Sequence, residues 1–364
     1  MTWVMLTLGV AFADPICPEG TVPFGAAPPA GSEQACVRPG TDPPVRVGPS
    51  VTFGPDGART AEGAWVDGKR DGAWSFFRPD GTLERSGAYA RGELSGTWTV
   101  YHPNGKAWSV GPYLLGKAHG EWTYLTPTGS REAVGRFVNG AKYGVWVSYH
   151  DNGQLKSEGA FVAGLKDGHW TFWTASGTKE REGAYTSGRE TGVWQGFDEQ
   201  GRLTRSATYA NAQLDGPEIT YYPSGQKKSE GSYRQGARVG LWLLWWENGK
   251  AKVEQTWDAD VKHGPWRGWH ENGALRFQGA MVRGAEEGPW LHAWQNGNKQ
   301  SEGSFLAGKP DGPWRTWFEG GQPESEGLWL AGGRSGTWTW HRADGTVEKV
   351  ETWKDGVLVS TAPR

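Results

Sequence analysis

The sequence predicts an all-β protein: an elongated, single-layer, twisted antiparallel sheet, a β-meander or solenoid of about twelve 24-residue β-hairpin repeats. Three observations carry this prediction. Glycine accounts for 57 of the 364 residues and tryptophan for 24. Glycine recurs at a fixed interval along most of the chain. No segment shows the sustained 3.6-residue apolar period that is typical of an amphipathic helix.

Two unbroken columns of glycine set the period. The first recurs every 24 residues from Gly72 to Gly336, and the second from Gly81 to Gly345. Tryptophan stands two residues after the first glycine in every unit except the seventh, where Glu218 replaces it. These tryptophans are Trp74, Trp98, Trp122, Trp146, Trp170, Trp194, Trp242, Trp266, Trp290, Trp314 and Trp338. Twelve units without an insertion or deletion predict a continuous repeat array.

Each unit has the residues of two strands and two turns. The segment at residues 79–81, Pro-Asp-Gly, is typical of a type I turn closed by a glycine bulge, which joins adjacent antiparallel strands. The flanking segments are rich in aromatic and β-branched residues, as strands are. We therefore predict one strand over residues 72–78, its return over residues 82–89, and a connection to the next hairpin over residues 90–95.

The alternation of side chains along a strand predicts which columns share a face of the sheet. With a regular pleat, Trp74 lies opposite Ser86, because successive side chains point to opposite faces. The tryptophan column then shares its face with charged residues such as Glu84, and the column of Tyr89 lies on the other face. Both faces are predicted to be partly aromatic.

The N-terminal region divides into a leader and a short segment before the repeats. Residues 1–13 carry no charge, contain an apolar stretch and end in Ala-Phe-Ala, the small-x-small pattern of a signal peptide cleavage site. Residues 14–49 form a Pro/Gly-rich segment in which Cys17 and Cys36 are predicted to form one disulfide, as expected in an oxidising compartment. We predict the repeat array over residues 50–358, a tail over residues 359–364, and export to the periplasm or to the extracellular space and cell surface.

Charge and apolar content narrow the classes of partner. The formal net charge is −2, with acidic and basic residues mixed throughout. Because no basic surface is indicated, nucleic acid is not expected as a partner. No apolar stretch after the leader is long enough for a transmembrane helix, so no integral membrane segment is expected.

The spacing of aromatic residues and glycines resembles a known repeat. The run from Tyr89 through Gly92, Gly96 and Trp98 to the turn at Gly105 resembles the MORN repeat. The 24-residue period and the G-x-W core look most like the bacterial variant, the YwqK-type antitoxin-like repeat proteins. The resemblance covers about residues 50 to 358. It implies an elongated antiparallel sheet that is used for contact with proteins or lipids.

No arrangement that is typical of a catalytic or metal site is found. His102, His150 and His270 occupy one column, but the first two are two repeats apart, roughly 19 Å at two strands per repeat, too far for one zinc ion. The carboxylates of the column that contains Glu158 and Glu182 repeat along the sheet, whereas a catalytic pair is normally unique and sheltered. We predict a non-enzymatic protein with no cofactor and no metal.

The leading hypothesis is an interaction scaffold. The tryptophan column is predicted to form an exposed aromatic surface, and such patches usually mark binding sites. The partner is an unidentified protein, or a second copy of this chain. An alternative is binding of carbohydrate or the cell envelope, with sugar rings stacked on the tryptophan ladder. A weaker alternative is a lipid-contacting or antitoxin-like protein.

Five positions depart from the repeat pattern. Around the seventh unit Ala207 and Ala212 replace glycine and Glu218 replaces tryptophan, and around the ninth unit Gln255 and Asp260 replace glycine. Their clustering in mid-chain is interpreted either as a bend, a bulge or a partner footprint, or as drift in a tolerant array.

Overall fold

The computed structural model describes residues 15–363, so the predicted signal peptide at residues 1–13 lies outside the described residues. The chain divides into two compact units, Met1–Gly177 and Thr178–Arg364. In both units the described residues form strands and turns and no helix.

The first unit contains fourteen strands. They are β1 (Val22–Ala26), β2 (Glu33–Arg38), β3 (Val45–Phe53), β4 (Arg59–Val66), β5 (Lys69–Phe77), β6 (Leu83–Ala90), β7 (Glu93–Tyr101), β8 (Ala107–Leu114), β9 (Lys117–Ala118), β10 (Gly120–Leu125), β11 (Arg131–Val138), β12 (Ala141–Tyr149), β13 (Leu155–Val162) and β14 (Leu165–Trp173).

The second unit contains seventeen strands. They are β15 (Lys179–Thr186), β16 (Arg189–Phe197), β17 (Leu203–Ala210), β18 (Gln213–Tyr221), β19 (Lys227–Arg234), β20 (Ala237–Trp245), β21 (Ala251–Asp258), β22 (Val261–Trp269), β23 (Leu275–Val282), β24 (Ala285–Ala293), β25 (Lys299–Leu306), β26 (Lys309–Pro310), β27 (Gly312–Trp317), β28 (Pro323–Leu330), β29 (Gly333–His341), β30 (Val347–Lys354) and β31 (Val357–Pro363).

Within each unit the strands follow one another as an open antiparallel meander. Interior strands pair with the strand before and the strand after them, as β5 does with β4 and β6, and as β18 does with β17 and β19. The short strands β9 and β26 are the first parts of interrupted strands that continue as β10 and β27. The predicted all-β fold with repeats of about 24 residues is confirmed.

The turn that contains the second glycine column has the predicted geometry. The amide of Gly81 donates to the carbonyl of Arg78 at 2.9 Å, and the amide of Arg78 donates to the carbonyl of Thr82 at 2.9 Å. Gly81 has a φ of 83°, which glycine adopts without steric cost. The Asp80 carboxylate accepts hydrogen bonds from the amide and hydroxyl of Thr82. This is a type I turn followed by a left-handed glycine, as the Pro-Asp-Gly sequence predicts.

The connection between hairpins is shorter than predicted. Strand β6 continues to Ala90 and β7 begins at Glu93, so only Arg91 and Gly92 form the turn. Their φ values are 52° and 89°, and two successive left-handed residues define a type I′ turn, whose twist matches that of the paired strands. The prediction of a connection over residues 90–95 was wrong, because the first turn residue varies between units and is Asn or Asp in only four of the thirteen such turns among the described residues.

The first glycine column marks a bulge. Between β4 and β5, Gly63 pairs with Trp74 and the next residue, Ala64, pairs with Asp71. Two residues of β5 therefore have no partner on β4, although both pair with β6 on the other side. One of them, Gly72, has a φ of 73°. A left-handed residue at this point permits the bulge at little cost when it is glycine.

A second bulge overturns the predicted assignment of faces. Phe77 pairs with Leu83 as expected, but Phe76 pairs with Arg85, so Glu84 has no partner and Trp74 lies opposite Gly87 instead of Ser86. The bulge shifts the register by one residue, and a shift of one residue exchanges the two faces. The tryptophan column therefore shares its face with the glycine and Tyr89 columns, and the Ser86 and Glu158 column lies on the opposite face.

The segment before the repeats is part of the meander. Strands β1 and β2 pair with each other, and β2 pairs with β3. The predicted disulfide is present between Cys17 and Cys36, with the Cα atoms 5.5 Å apart, and Cys36 is fully buried. The boundary predicted at residue 50 falls inside β3, and the one predicted at residue 358 falls inside β31, which pairs with β30.

Candidate functional site

The tryptophan column packs against the glycine column that precedes each tryptophan by eleven residues. A Cβ atom added to the glycine of any of ten such pairs, from Gly63 with Trp74 to Gly327 with Trp338, would lie 2.0–2.3 Å from the indole ring. Glycine is therefore required wherever the indole lies flat on the neighbouring strand. In seven units the indole Nε1 also donates to a backbone carbonyl ten residues earlier, as Trp74 does to Ala64 at 2.9 Å.

This packing buries the column that was predicted to be the exposed binding surface. Nine of its eleven tryptophans are only 1–6% exposed, and Trp266 and Trp314 are half-buried. Rings of the Tyr89 column help to cover the indoles, and Trp98, for example, lies edge-on between Tyr89 at 5.2 Å and Tyr113 at 6.3 Å. The tryptophan column is thus the core of the face on which it lies, which we call the Trp face, and it leaves little indole surface for a ligand.

Cationic side chains cover the Trp face further. The guanidinium carbon of Arg70 lies 4.6 Å from the centre of the Trp74 ring, and the Lys142 amine lies 4.0 Å from that of Trp146. Burial lowers the pKa of Lys142, because it penalises the charged form of the amine. The aromatic ring compensates part of that penalty through a cation–π contact.

The opposite face of the sheet, which we call the open face, is uncovered. The residue before each tryptophan position points to it and is exposed in all twelve units. These residues are Ala73, Thr97, Glu121, Val145, His169, Val193, Pro217, Leu241, Pro265, Pro289, Pro313 and Thr337. Because they vary from charged to aliphatic, the open face carries a different chemical character in each unit.

Carboxylates of the column that contains Glu62 and the S/R-E-G motifs lie on the open face, and several of them form ion pairs there. Lys227 contacts Glu230 at 2.7 Å, and its amine lies 5.9 Å from the centre of the Trp245 ring. The same arrangement recurs with Lys299, Glu302 and Trp317, and with Arg59, Glu62 and Phe77. These carboxylates are partly solvent-exposed and each has a cationic partner, which fits the predicted charged and solvated face.

A groove of about 720 Å³ lies on the open face of the second unit. Its ridges are Pro265, Pro289 and Pro313, which are two strands or about 10 Å apart. Small residues oppose the first two across the ladder, Ala280 opposite Pro265 and Ser304 opposite Pro289, and they leave the floor of the groove open. Polar and apolar side chains also line the groove, including Arg267, Gln278, Leu291, Lys299 and Glu302.

The seventh unit replaces the Gly–Trp pair with a polar cluster. Ala207 pairs directly with Glu218, and both are buried. The Glu218 carboxylate accepts a hydrogen bond of 2.6 Å from Arg205 Nε, and Arg205 also donates to the hydroxyl of Tyr209 at 3.0 Å. Burial, with a smaller contribution from Glu218, raises the pKa of Tyr233. The Ala207 methyl group occupies the space that an indole needs, which gives a physical reason for this break.

The other three irregular positions have separate local explanations. Ala212 and Asp260 take the second place of the type I′ turn with φ values of 67° and 64°, where the other turns have glycine. The Asp260 carboxylate accepts a hydrogen bond of 2.7 Å from Arg238 Nε. Gln255 pairs with Trp266, whose indole is half-buried and whose buried Nε1 has no hydrogen-bond partner among the described residues.

The histidines of one column have a structural role that the sequence did not indicate. The Nε2 atoms of His102, His150 and His270 each lie 2.8–3.0 Å from the backbone carbonyl 23 residues later, at the end of the strand that leads into the next turn of this kind. At the same position Trp246 and Tyr222 make the equivalent bond. These side chains join successive turns. In residues 15–363, no three His, Cys, Asp or Glu side chains are placed to hold one metal ion.

The fold and the two faces define a β-hairpin repeat protein. Three stretches of it, residues 94–114, 142–163 and 214–235, match the family model described as MORN repeat variant. The finer resemblance to YwqK-type antitoxin-like proteins stays a prediction. Among the described residues, no helix has the length and apolar character needed to cross a bilayer.

Other comparisons add little. A search of curated proteins gave no match. Among solved structures, a chain of the TcdB2-TccC3-Cdc42 crystal structure aligns with 94% of this chain and 23% of its own length, at 9% identity and a TM-score of 0.17. A chain of the Photorhabdus luminescens Tc holotoxin pore aligns with 92% of this chain and 20% of its own, at 10% identity and a TM-score of 0.16. This chain spans less than a quarter of either, and such scores carry no argument.

Proposed function

We propose that this chain is an exported, non-enzymatic repeat scaffold that binds a protein partner on its open face. The observation that carries the proposal is the exposure of the column before each tryptophan in all twelve units. The protein uses most of the Trp face for its own packing, so the open face is the larger surface that remains for recognition of a protein partner. Exposed apolar residues on it, such as Val145, Val193 and Leu241, are of the kind that interfaces bury.

The groove between Pro265 and Pro313 is the part of this face that fits an extended segment of a partner. It combines apolar ridges with a cation and a carboxylate, Lys299 and Glu302. Interfaces of this composition bury an apolar centre and keep hydrogen-bonding groups at the rim. Export is supported by the Cys17–Cys36 disulfide, since disulfides persist in oxidising compartments.

A photo-crosslinking experiment tests the proposal. A benzoyl-phenylalanine residue is placed at position 289 of the groove or, as the control, at position 73 of the same column in the first unit, which lies outside the groove. Crosslinking in intact cells is expected to give one discrete protein adduct from position 289. Pro289→Glu with Pro313→Glu should abolish capture of that protein, and Ala73→Glu should not. Equal adducts from both positions, or capture that survives the double substitution, would contradict the proposal.

The wild-type protein and the groove variants also test the carbohydrate alternative. Stacking of sugars on the tryptophan ladder requires accessible indoles, and nine of the eleven are buried. Retention on peptidoglycan or envelope polysaccharide is therefore expected to be absent. Retention that the groove substitutions leave unchanged would favour that alternative over a protein partner.

A further inference from the structure

On the Trp face, a repeated cage of four aromatic rings surrounds the residue four positions before a tryptophan. At Arg70 the rings are Trp65, Trp74, Phe76 and Tyr89, and the guanidinium carbon lies 5.7, 4.6, 5.3 and 5.5 Å from their centres. A cation at such distances is attracted to each ring face. The arginine side chain of this repeat fills the cage.

The twelfth unit repeats the arrangement with different rings. Arg334 lies in a cage of Trp329, Trp338, Trp340 and Trp353, at 5.6, 4.7, 5.1 and 5.1 Å from their centres. The distances match those around Arg70 within half an ångström. The cage is therefore a property of the repeat geometry, and a guanidinium group fits it.

The third unit builds the same cage without a cation. Its rings are Tyr113, Trp122, Tyr124 and Phe137, and the central position is Ala118. Around Trp122 the ring centres lie at 5.2, 6.2 and 5.7 Å. The corresponding distances around Trp74 are 5.4, 6.0 and 6.1 Å. The two cages have the same edge-on, stacked and edge-on geometry, and they differ in the residue at the centre.

The Ala118 cage also lacks a second cation that covers the Arg70 cage, although its Trp122 is buried and Trp108 packs edge-on against Tyr124 at 6.3 Å. Phe76 lies beneath two arginines, Arg70 and Arg85, with Arg85 4.4 Å from its ring centre, and it is buried. The counterparts of these arginines at Tyr124 are Ala118 and Ala133, and Tyr124 is only half-buried. Among residues 15–363, no side-chain cation contacts any of the four rings around Ala118.

We propose that the Ala118 cage is a binding site for a guanidinium group supplied from outside this chain. The shape follows from the homologous cages, in which the protein's own guanidinium groups are held by four rings. The half-buried Tyr113, Tyr124 and Phe137 present ring surface from which the ligand displaces water, and this strengthens a cation–π contact. The site lies on the Trp face, so it is independent of the proposed partner on the open face.

The test uses ethylguanidinium as the probe, with its proton NMR signals followed during titration of the full-length protein. Ring currents of the cage are expected to shift the ethyl signals upfield in a saturable manner. Ala118→Arg should reduce the bound fraction at least tenfold, because it fills the cage as Arg70 does. Leu115→Arg, three residues away in the exposed turn, adds the same charge and should leave binding unchanged. An arginine already occupies that turn position at Arg91 with a φ of 52°.

A gain-of-site variant makes the test sharper. Arg70→Ala together with Arg85→Ala opens a second cage and should about double the shift at a fixed protein concentration. A blocked Gly-Arg-Gly peptide distinguishes the source: a shift with both ligands supports an arginine side chain of a protein, and a shift with ethylguanidinium alone supports a free guanidinium compound. No saturable shift with the wild-type protein, or an equal shift with Ala118→Arg, would overturn the proposal. The crosslinking result on the open face does not depend on either outcome.

Discussion

The break in the seventh unit allows the packing of tryptophan on glycine to be tested inside the protein. Ala207 and Glu218 face each other across strands β17 and β18, where ten other units have glycine and tryptophan. A Cβ atom beneath an indole would lie 2.0–2.3 Å from the ring in those units. We therefore predict that Glu218→Trp destabilises this hairpin, and that Ala207→Gly added to it restores the stability.

The expected loss of stability in Glu218→Trp follows from these distances. Carbon atoms pack at about 3.5–4.0 Å, so the new indole would have to rise by more than about 1 Å above its usual place. Overpacking of a core position costs about 1–3 kcal/mol, and loss of the indole–carbonyl hydrogen bond costs about 0.5–1.5 kcal/mol. The predicted cost of Glu218→Trp is about 2–4 kcal/mol. Trp266 opposite Gln255 agrees with this in its burial, since its indole is half-buried whereas nine of the ten tryptophans that lie on glycine are buried.

Hydrogen exchange of peptides from β17 and β18 is the appropriate assay, because repeat arrays lose stability locally. Ala207→Gly alone should cost only about 0.5–1 kcal/mol, as glycine does in a strand. The two single variants and the double variant form a thermodynamic cycle, and its coupling energy should be about 2–4 kcal/mol in favour of the double variant. Unchanged exchange in Glu218→Trp, or a coupling energy near zero, would refute the packing argument.

Three further perturbations have defined outcomes. Ala212→Gly should raise the stability of its turn by about 1 kcal/mol, since a non-glycine residue at a φ of 67° is strained; unchanged hydrogen exchange there would contradict this. Cys36→Ser should lower the stability of strands β1 to β3 by about 3 kcal/mol, because the disulfide closes a loop with a sequence separation of 19; proteolysis confined to these strands is the measurement. The hydrogen bond from Arg46 lowers the pKa of Glu33, so this pair stabilises the folded chain above about pH 4.3 and the stabilisation is lost as the pH falls below that value. Glu33→Gln should remove this acid dependence of exchange in β2 and β3, and identical acid profiles of variant and wild type would argue against it.

The repeat, the turn type and the disulfide could be predicted because each requires a particular residue type, and that residue type has one main structural interpretation at its position. Gly81 after Asp80 marks a left-handed position, and its column repeats without interruption. Two cysteines in a segment next to a predicted signal peptide admit one pairing. These sequence signals are local, so their interpretation does not depend on how side chains pack across the sheet.

The assignment of faces could not be predicted, because it depends on a bulge without a sequence marker. Glu84 is the extra residue, and nothing in its type distinguishes it from the charged residues beside it. A single unpaired residue exchanged the faces of all subsequent positions in the strand. Trp74 then moved from the charged face to the face that carries Gly87, and a predicted exposed ladder became a buried one.

The Trp face packs the strands together and the open face is exposed, and this division affects how such a chain can acquire specificity for a partner. On the Trp face an indole that lies flat on the neighbouring strand needs glycine beneath it, so a change at one position favours a change at its partner, as at Ala207 and Glu218. On the open face the column from Ala73 to Thr337 has no such constraint, because its side chains are exposed in every unit. Recognition can therefore be altered unit by unit without loss of the packing that holds the strands together, and Pro265, Pro289 and Pro313 are the stretch where one residue type recurs in consecutive units.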